Sequence, residues 1–120
     1  VNYMMDAALT GRLSINKAIE LIATNGARLF NIYPQKGVVA VGSDADLVIY
    51  DARTTTTIHP DMLFSQARHC DKLYEGKTFQ GAVRRTLVNG RTVFVDGQIV
   101  GEPGWGQFVR PSRTPETAGA

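Results

Sequence analysis

The amino-acid sequence predicts an α+β fold in which a helical segment is followed by an antiparallel sheet. Apolar residues recur at three- and four-residue spacing between Ile15 and Ile22, the period of a helix with one buried face. Beyond Pro34 the pattern changes to short β-branched runs divided by glycine and aspartate. Because helical and β-rich stretches do not alternate, the sequence argues against a doubly wound parallel sheet.

The helical part is predicted to contain two consecutive short helices with a bend between them. Ser14 is the expected N-cap of the first, because its hydroxyl can accept a bond from a free N–H group of the first turn. Thr24-Asn25 is a second start signal and leads into residues 27–30. A further helical turn is expected over residues 4–9, closed by Gly11.

Short strands are predicted between Pro34 and Pro60. They cover Val38 to Val41, Leu47 to Tyr50 and Thr54 to Ile58, with Asp51 closing the second and Pro60 ending the third. Residues 61–80 show weak periodicity, so we expect a loop with a helical turn at residues 62–67.

A β-hairpin is the clearest local feature of the sequence. Val83 to Val88 and Arg91 to Val95 flank Asn89-Gly90, and both turn residues tolerate the positive φ angles of a tight turn. Asp96-Gly97 predicts a second turn, which leads into residues 98–100 and completes a small meander. Glycine and proline dominate from Gly101 onward, and residues 114–120 have the composition of a frayed terminus.

Composition excludes several classes of function. The 120 residues carry a net charge of +2 that is scattered along the chain, so no nucleic-acid partner is predicted. No apolar run is long enough to span a bilayer, and no signal peptide or membrane partner is expected. The single cysteine cannot form an internal disulfide, which favours the cytoplasm. The chain opens on Val1 instead of an initiator methionine, which suggests that sequence upstream has been removed; Met4 and Met5 leave this open.

The only cluster that suggests a metal site consists of His59, His69, Cys70 and Asp71. A zinc site requires three or four converging ligands, usually on spacings such as HxH or CxxC. Consecutive side chains point in different directions on a strand or a helix. We therefore interpret these residues as loop residues without a catalytic role, and nothing in the sequence predicts a base that would activate Cys70.

Asp44 and Asp46 are a second candidate, as paired carboxylates for acid and base chemistry. We favour a turn that enters a strand, with Asp44 bonding local backbone amides. Residues 101–106 contain a Gly-x-Gly pattern, but no helix is predicted after it, so phosphate binding is not expected. Trp105 and Phe108 lie in a segment too irregular to form its own core, and we expect them to pack against something else, either a further part of the protein or a neighbouring subunit.

Four segments stand out by their order and spacing: Gly11-Arg12-Leu13-Ser14, residues 23–30 followed by 33–37, residues 42–48 and residues 100–108. Together they resemble the cyclic-amide hydrolases of the dihydropyrimidinase and hydantoinase type, and the resemblance covers roughly residues 10–110. The first three are shared more widely by amidohydrolases of the dihydroorotase and allantoinase type, and the last resembles the tail of dihydropyrimidinases and hydantoinases. Family members often have proline where this chain has Gly26.

The resemblance implies a (β/α)₈ barrel with two divalent metals, commonly zinc, and a small β-sandwich built from both ends of the polypeptide. It assigns residues 1–33 to the last barrel helices, residues 34–100 to the C-terminal part of the sandwich, and residues 101–120 to an extended tail. The family's metal ligands all lie upstream of this stretch. The resemblance therefore implies no catalytic, cofactor-binding or metal-binding residue in this chain.

These implications define the functional hypothesis. The chain is expected to be the C-terminal fragment of a metal-dependent hydrolase of cyclic amide C–N bonds, inactive alone and partnered by the remainder of its enzyme in a homotetramer. Dihydropyrimidines, hydantoins and allantoin are the candidate substrate classes. The alternatives are a non-enzymatic scaffold relative that has lost its metal ligands and an independent binding module.

Overall fold

The computed structural model describes residues 1–70 and 72–112. Its helical elements are α1 (Asn2–Leu9), α2 (Ile15–Ile19), a π-helical turn (Glu20–Thr24) and α3 (Asn25–Leu29). The strands are β1 (Leu47–Thr57), β2 (Thr78–Val88), β3 (Arg91–Val95) and β4 (Gln98–Ile99). They form one antiparallel sheet in the order β1-β2-β3-β4. The predicted combination of helices and an antiparallel sheet is confirmed.

The helix that begins after Ser14 continues through the predicted second start. Ser14 caps it as expected, accepting the N–H of Lys17 at 3.1 Å. At Thr24 the backbone stays helical, with φ −64° and ψ −45°, and the side chain does not cap α3. Two consecutive short helices, α2 and α3, are present as predicted, but the π-helical turn joins them without interruption. Thr24 does not start the second helix as a cap, because its hydroxyl donates to the carbonyl of Gly37 at 2.8 Å.

The loop that follows α3 lies directly on the helix. Gly37 has φ +83°, and a Cβ built there would lie 2.5 Å from the Cβ of Ala27 and 3.2 Å from the carbonyl oxygen of Ala23. Only glycine fits this approach. The π-helical turn and Gly37 therefore fix the path by which the chain leaves the helices and enters the sheet.

The hairpin and the second turn form as predicted. Asn89 and Gly90 have φ angles of 46° and 77°, and Asp96 and Gly97 have 44° and 87°. Positive φ at both turn residues matches the twist of the strands that each turn joins.

Three predictions about the remaining β-rich part were wrong. Residues 38–41 form no strand, because neither Val39 nor Val41 meets a partner strand and both are exposed. Asp51 does not end its strand: β1 runs from Leu47 to Thr57 across an irregular register between Asp51 and Thr55. The short helical turn lies at Pro60–Met62, a 3-10 turn with proline in its first turn, instead of residues 62–67.

The core is small. Among the described residues the buried apolar side chains are four alanines and Phe79. Phe79 packs edge-on against Tyr3 and Tyr74, with ring centroids 6.3 and 5.9 Å away. The predicted buried helix face buries only Ala18, whereas Ile15, Ile19 and Ile22 are exposed. A core of this size leaves most of the large apolar side chains facing outward.

The first helix is attached to the sheet through a carboxylate. Asp6 on α1 accepts the backbone N–H of Gln80 on β2 at 2.7 Å, and Arg12 binds the same carboxylate. Tyr50 lies beside this contact and donates its hydroxyl to the carbonyl of Gln80 at 2.9 Å. Burial raises the pKa of Tyr50, as does the charge of Asp6, so the phenol stays protonated and able to donate.

None of the helices in the described residues is both long and apolar enough to cross a membrane. The predicted frayed terminus, residues 114–120, lies outside the described residues.

Candidate functional site

The histidines and the cysteine that suggested a metal site do not form one. His59, His69 and Cys70 are all exposed. Nε2 of His69 accepts a hydrogen bond from the guanidinium of its neighbour Arg68 at 3.2 Å. Within residues 1–70 and 72–112, no group of three or more His, Cys, Asp or Glu side chains is arranged to hold a metal ion. Asp71, the fourth member of the predicted cluster, lies outside the described residues.

Asp44 and Asp46 do come together, but around a lysine. Lys36 Nζ lies 2.9 Å from the carboxylate of Asp44 and also binds Asp46. Asp44 accepts from the side chain of Gln35 at 3.2 Å as well. Its carboxylate thus binds side chains, in contrast to the predicted bonds to local backbone amides, because Lys36 and Gln35 lie across the turn.

The electrostatics of this cluster do not suit acid and base chemistry. Burial raises the pKa of Asp46, but hydrogen bonds from Lys36 and from the backbone of Asn89, with the charge of Lys36, outweigh it and bring the pKa below 3.8. Burial lowers the pKa of Lys36, but its bonds to Asp46 and Asp44 and the charges of both carboxylates raise the pKa above 10.5. Both groups stay charged near neutral pH, whereas an efficient proton-transfer group has a pKa near the working pH.

The same cluster fastens the loop to the β2–β3 hairpin. Asp46 accepts the backbone N–H of Asn89 at 2.8 Å, and the carbonyl of Ala45 accepts that of Gly90 at 2.9 Å. We call residues 44–46 the clamp segment. No local sequence pattern predicts that Lys36 binds the carboxylates of this segment, because its partners lie eight and ten positions further along the chain.

The glycine-rich stretch after the sheet folds back on β3. Val93 O accepts the N–H groups of Val100 and Gly101 at 2.9 and 3.2 Å. A Cβ on Gly101 would lie 2.8 Å from a methyl carbon of Val93, which explains the glycine. No helix follows within the described part of this stretch, so it lacks the helix N-terminus that a phosphate site would use.

Trp105 packs on the molecule's own hairpin. Its indole N–H donates to the carbonyl of Val88 at 2.7 Å, and the guanidinium of Arg91 lies 4.9 Å from the ring centroid. Trp105 therefore does pack outside its own segment, but its partner is the β2–β3 hairpin of the same chain, which the prediction did not include. Phe108, by contrast, is 86% exposed and remains open to a partner.

A groove of about 830 Å³ lies between the sheet and the folded-back stretch. Its lining is mostly apolar and includes Met62, Phe64, Val83, Phe94, Ile99 and Trp105. Phe64 and Phe94 meet edge-on in this groove, with centroids 6.2 Å apart. Since an apolar surface of this kind favours burial over contact with water, the groove is a surface for packing.

Comparison with known proteins identifies the family. A family model described as the amidohydrolase family matches residues 1–93. The chain belongs to the amidohydrolase family. The resemblance of this amidohydrolase chain to the hydantoinase and dihydropyrimidinase type is also confirmed, because its relatives carry those names.

Among curated proteins, the D-phenylhydantoinase of Escherichia coli O1:K1 / APEC is 44% identical over 102 residues. Among solved structures, the L-hydantoinase (dihydropyrimidinase) from Arthrobacter aurescens is 37% identical with a TM-score of 0.82, and covers 92% of this chain. The dihydropyrimidinase from Brevibacillus agri NCHU1002 is 34% identical with a TM-score of 0.77, and covers 89%.

The amidohydrolase chain spans only a small part of these proteins. The alignment with the D-phenylhydantoinase covers 85% of this chain and 22% of the relative. The two solved structures are matched over 24% and 23% of their chains.

Proposed function

We propose that the chain is the C-terminal part of a metal-dependent hydrolase that opens cyclic amide C–N bonds, as in dihydropyrimidinases and hydantoinases. The observation that carries this proposal is the match of 85% of the chain to 22% of a D-phenylhydantoinase. In this assignment residues 1–33 are the last barrel helices, residues 34–100 the C-terminal part of a β-sandwich, and residues 101–120 a tail.

The exposed apolar surface supports a role in packing against a larger body. On the helical segment the large apolar side chains face outward: Ile15, Ile19, Leu21, Ile22, Leu29 and Phe30. A surface helix of a self-sufficient domain would turn such a stripe toward its own core. The remainder of the parent enzyme is therefore the proposed partner of this face.

The chemistry is assigned to residues outside this chain. The described residues provide no cluster that fits a metal ion, so two divalent metals, zinc by resemblance, would be held elsewhere in the parent enzyme. We accordingly assign no catalytic, cofactor or metal role to any residue here. The candidate substrates remain dihydropyrimidines, hydantoins and allantoin.

The proposal extends to the oligomeric state and the cellular compartment of the parent enzyme. We infer a homotetrameric parent enzyme in which the stretch from Gly101 to Arg110 contacts a neighbouring subunit, supported by the exposure of Phe108. The cytoplasm is the proposed compartment, because Cys70 is exposed and unpaired.

The test compares this chain with the full product of its gene. We expect the full-length protein to hydrolyse dihydrouracil or hydantoin and to lose that activity on chelation. We expect this chain alone to match a blank that contains the same metal. Activity of the chain alone that chelation abolishes would show that the fragment assignment is wrong. A full-length protein that binds no metal and is inactive would favour the scaffold alternative.

A further inference from the structure

The chain contains two Asn-Gly pairs, which the fold holds in different ways. Asn-Gly is the dipeptide most prone to spontaneous loss of the side-chain amide, because glycine leaves the following backbone nitrogen unhindered. Asn25-Gly26 lies inside α3, whereas Asn89-Gly90 forms the turn between β2 and β3. Their protection against this reaction therefore has different structural origins.

We propose that Asn89 is a modification site whose deamidation is held off by the clamp segment, residues 44–46. In the reaction the backbone nitrogen of Gly90 loses its proton and attacks Cγ of Asn89. The bond from Cγ to Nδ2 breaks, and ammonia leaves. Water then opens the resulting succinimide to aspartate or isoaspartate. The reaction consumes one water and requires no oxidant, reductant or cofactor.

The attack requires that Gly90 N–H loses its proton and that the backbone at Asn89 rotates. The clamp segment disfavours both. The N–H of Gly90 is bonded to the carbonyl of Ala45 at 2.9 Å, which disfavours loss of its proton. The N–H of Asn89 is bonded to the carboxylate of Asp46 at 2.8 Å, and φ of Asn89 is fixed at 46°. With both amides engaged, the backbone on either side of Asn89 cannot rotate toward a cyclic geometry without breaking a bond to residues 44–46.

Asn25 owes its protection to its own helix. Its backbone is helical, with φ −64° and ψ −39°, and its N–H donates to the carbonyl of Glu20. The clamp segment bonds to Asn89 and Gly90 and, within the part of the chain that the structure describes, not to Asn25, so release of the clamp segment should expose Asn89 alone.

After deamidation the hairpin is not expected to recover its native strand pairing. Isoaspartate adds a methylene to the backbone of a turn that has only two central residues, so the register of β2 and β3 is lost. Either product also adds a negative charge to the residue whose backbone N–H binds the Asp46 carboxylate, and like charges repel. The clamp would therefore not close again on a deamidated turn.

The test is a peptide-resolved time course on the whole chain at mildly alkaline pH. Trypsin separates the two sites, because residues 18–28 carry Asn25 and residues 86–91 carry Asn89. In the folded chain we expect Asn89 to lose its amide at least about tenfold more slowly than in urea, the factor expected if one charge-assisted bond must open.

The decisive variant is Asp46→Ala, with Asp44→Ala as its matched control. Asp44 shares Lys36 with Asp46 but has no bond to the hairpin among the described contacts. We expect Asp46→Ala to accelerate deamidation of Asn89 and leave Asn25 at its parent rate, and Asp44→Ala to change neither appreciably. If Asp46→Ala accelerated deamidation of both asparagines equally, the cause would be global unfolding and the proposal would be overturned. An unchanged rate at Asn89 in Asp46→Ala would overturn it equally.

Discussion

The ring of Tyr50 lies against the backbone of Gly81, so closely that a Cβ on Gly81 would come within 2.1 Å of the ring. Gly81 has φ +92°, and its carbonyl accepts the hydroxyl of Thr56 at 2.7 Å. It lies on β2 beside the irregular register of β1, where residues 52–54 have no paired partner. The glycine thus allows Tyr50 to cross the strand and reach the carbonyl of Gln80.

Substitution Gly81→Ala is expected to lower the free energy of unfolding by about 2–4 kcal/mol, because it combines an unfavourable φ with overlap of the Tyr50 ring. Urea denaturation followed by circular dichroism measures the change. Gly76→Ala is the matched control: Gly76 also has positive φ, +75°, but a Cβ there meets nothing within 4 Å. We expect a cost of about 1 kcal/mol for the control. Equal costs would mean that the ring contact contributes nothing.

Substitution Gly26→Ala is expected to stabilise the chain by about 0.5–1 kcal/mol. Gly26 lies within α3, and a Cβ there meets nothing within 4 Å. Alanine therefore gains the helical propensity that glycine lacks at no steric cost. Thermal unfolding of parent and variant at equal concentration measures the gain. Gly37→Ala serves as the contrast, because its Cβ would overlap Ala27, and it should destabilise the chain instead.

These glycines show how much of the fold the sequence reveals. The β2–β3 hairpin was predictable because Asn89-Gly90 specifies its turn locally. Gly81 carried a readable signal, an isolated glycine in a β-rich run, which is typical of a bulge or a close approach. It became informative only when the structure placed Tyr50 over it. The run at residues 38–41 failed as a strand because β-branched composition does not supply a partner strand.

The arrangement around Lys36 was beyond sequence reasoning for a physical reason. Asp44 and Asp46 were visible as a pair, but the ion pairs depend on a turn that brings Lys36 back across residues 37–43. The bond from Asn89 to Asp46 spans 43 positions, and no local pattern specifies it. The helix face predicted to be buried is exposed. The spacing of apolar residues shows that one face of a helix is apolar, but it does not show which part of the protein covers that face.

The ion pair of Lys36 with Asp46 predicts that the free energy of unfolding falls at both acidic and strongly alkaline pH. Asp46 has a lowered pKa, so its contribution is present above the ordinary value near 3.8 and is lost as pH falls through the lower folded value. Lys36 has a raised pKa, so its contribution is present below 10.5 and is lost as pH rises through the higher folded value. Urea denaturation across this range measures both limits.

The variant Asp46→Asn should flatten the acidic part of this profile, since its side chain no longer titrates. It should leave the chain less stable than the parent at neutral pH. If the free energy of unfolding fell equally steeply at acidic pH in the variant and the parent, Asp46 would not be the source of that dependence.

Removal of the indole hydrogen bond should weaken the attachment of the folded-back stretch. Trp105→Phe keeps an aromatic ring beside Arg91 but deletes the donor to Val88. We expect a loss of about 1 kcal/mol in the free energy of unfolding, the usual contribution of one hydrogen bond. Amide hydrogen exchange at Val100 and Gly101 provides a local measurement, and unchanged protection there would contradict the assignment.

The isolated chain is expected to associate with itself or with the rest of its enzyme. Its small core and outward-facing isoleucines leave apolar surface that water solvates poorly. Sedimentation at micromolar concentration measures this directly. A single monomeric species that binds no hydrophobic dye would contradict the expectation.

The bond between Asp6 and Gln80 also sets an order of folding events. It joins residues 74 positions apart, whereas the strands of the hairpin are joined by a turn of two residues. Closing a long loop costs more chain entropy than closing a short one, and contacts distant in sequence form late. The hairpin is therefore expected to close first and α1 to dock last. In synthesis from the N-terminus, α1 must remain undocked until Gln80 has left the ribosome.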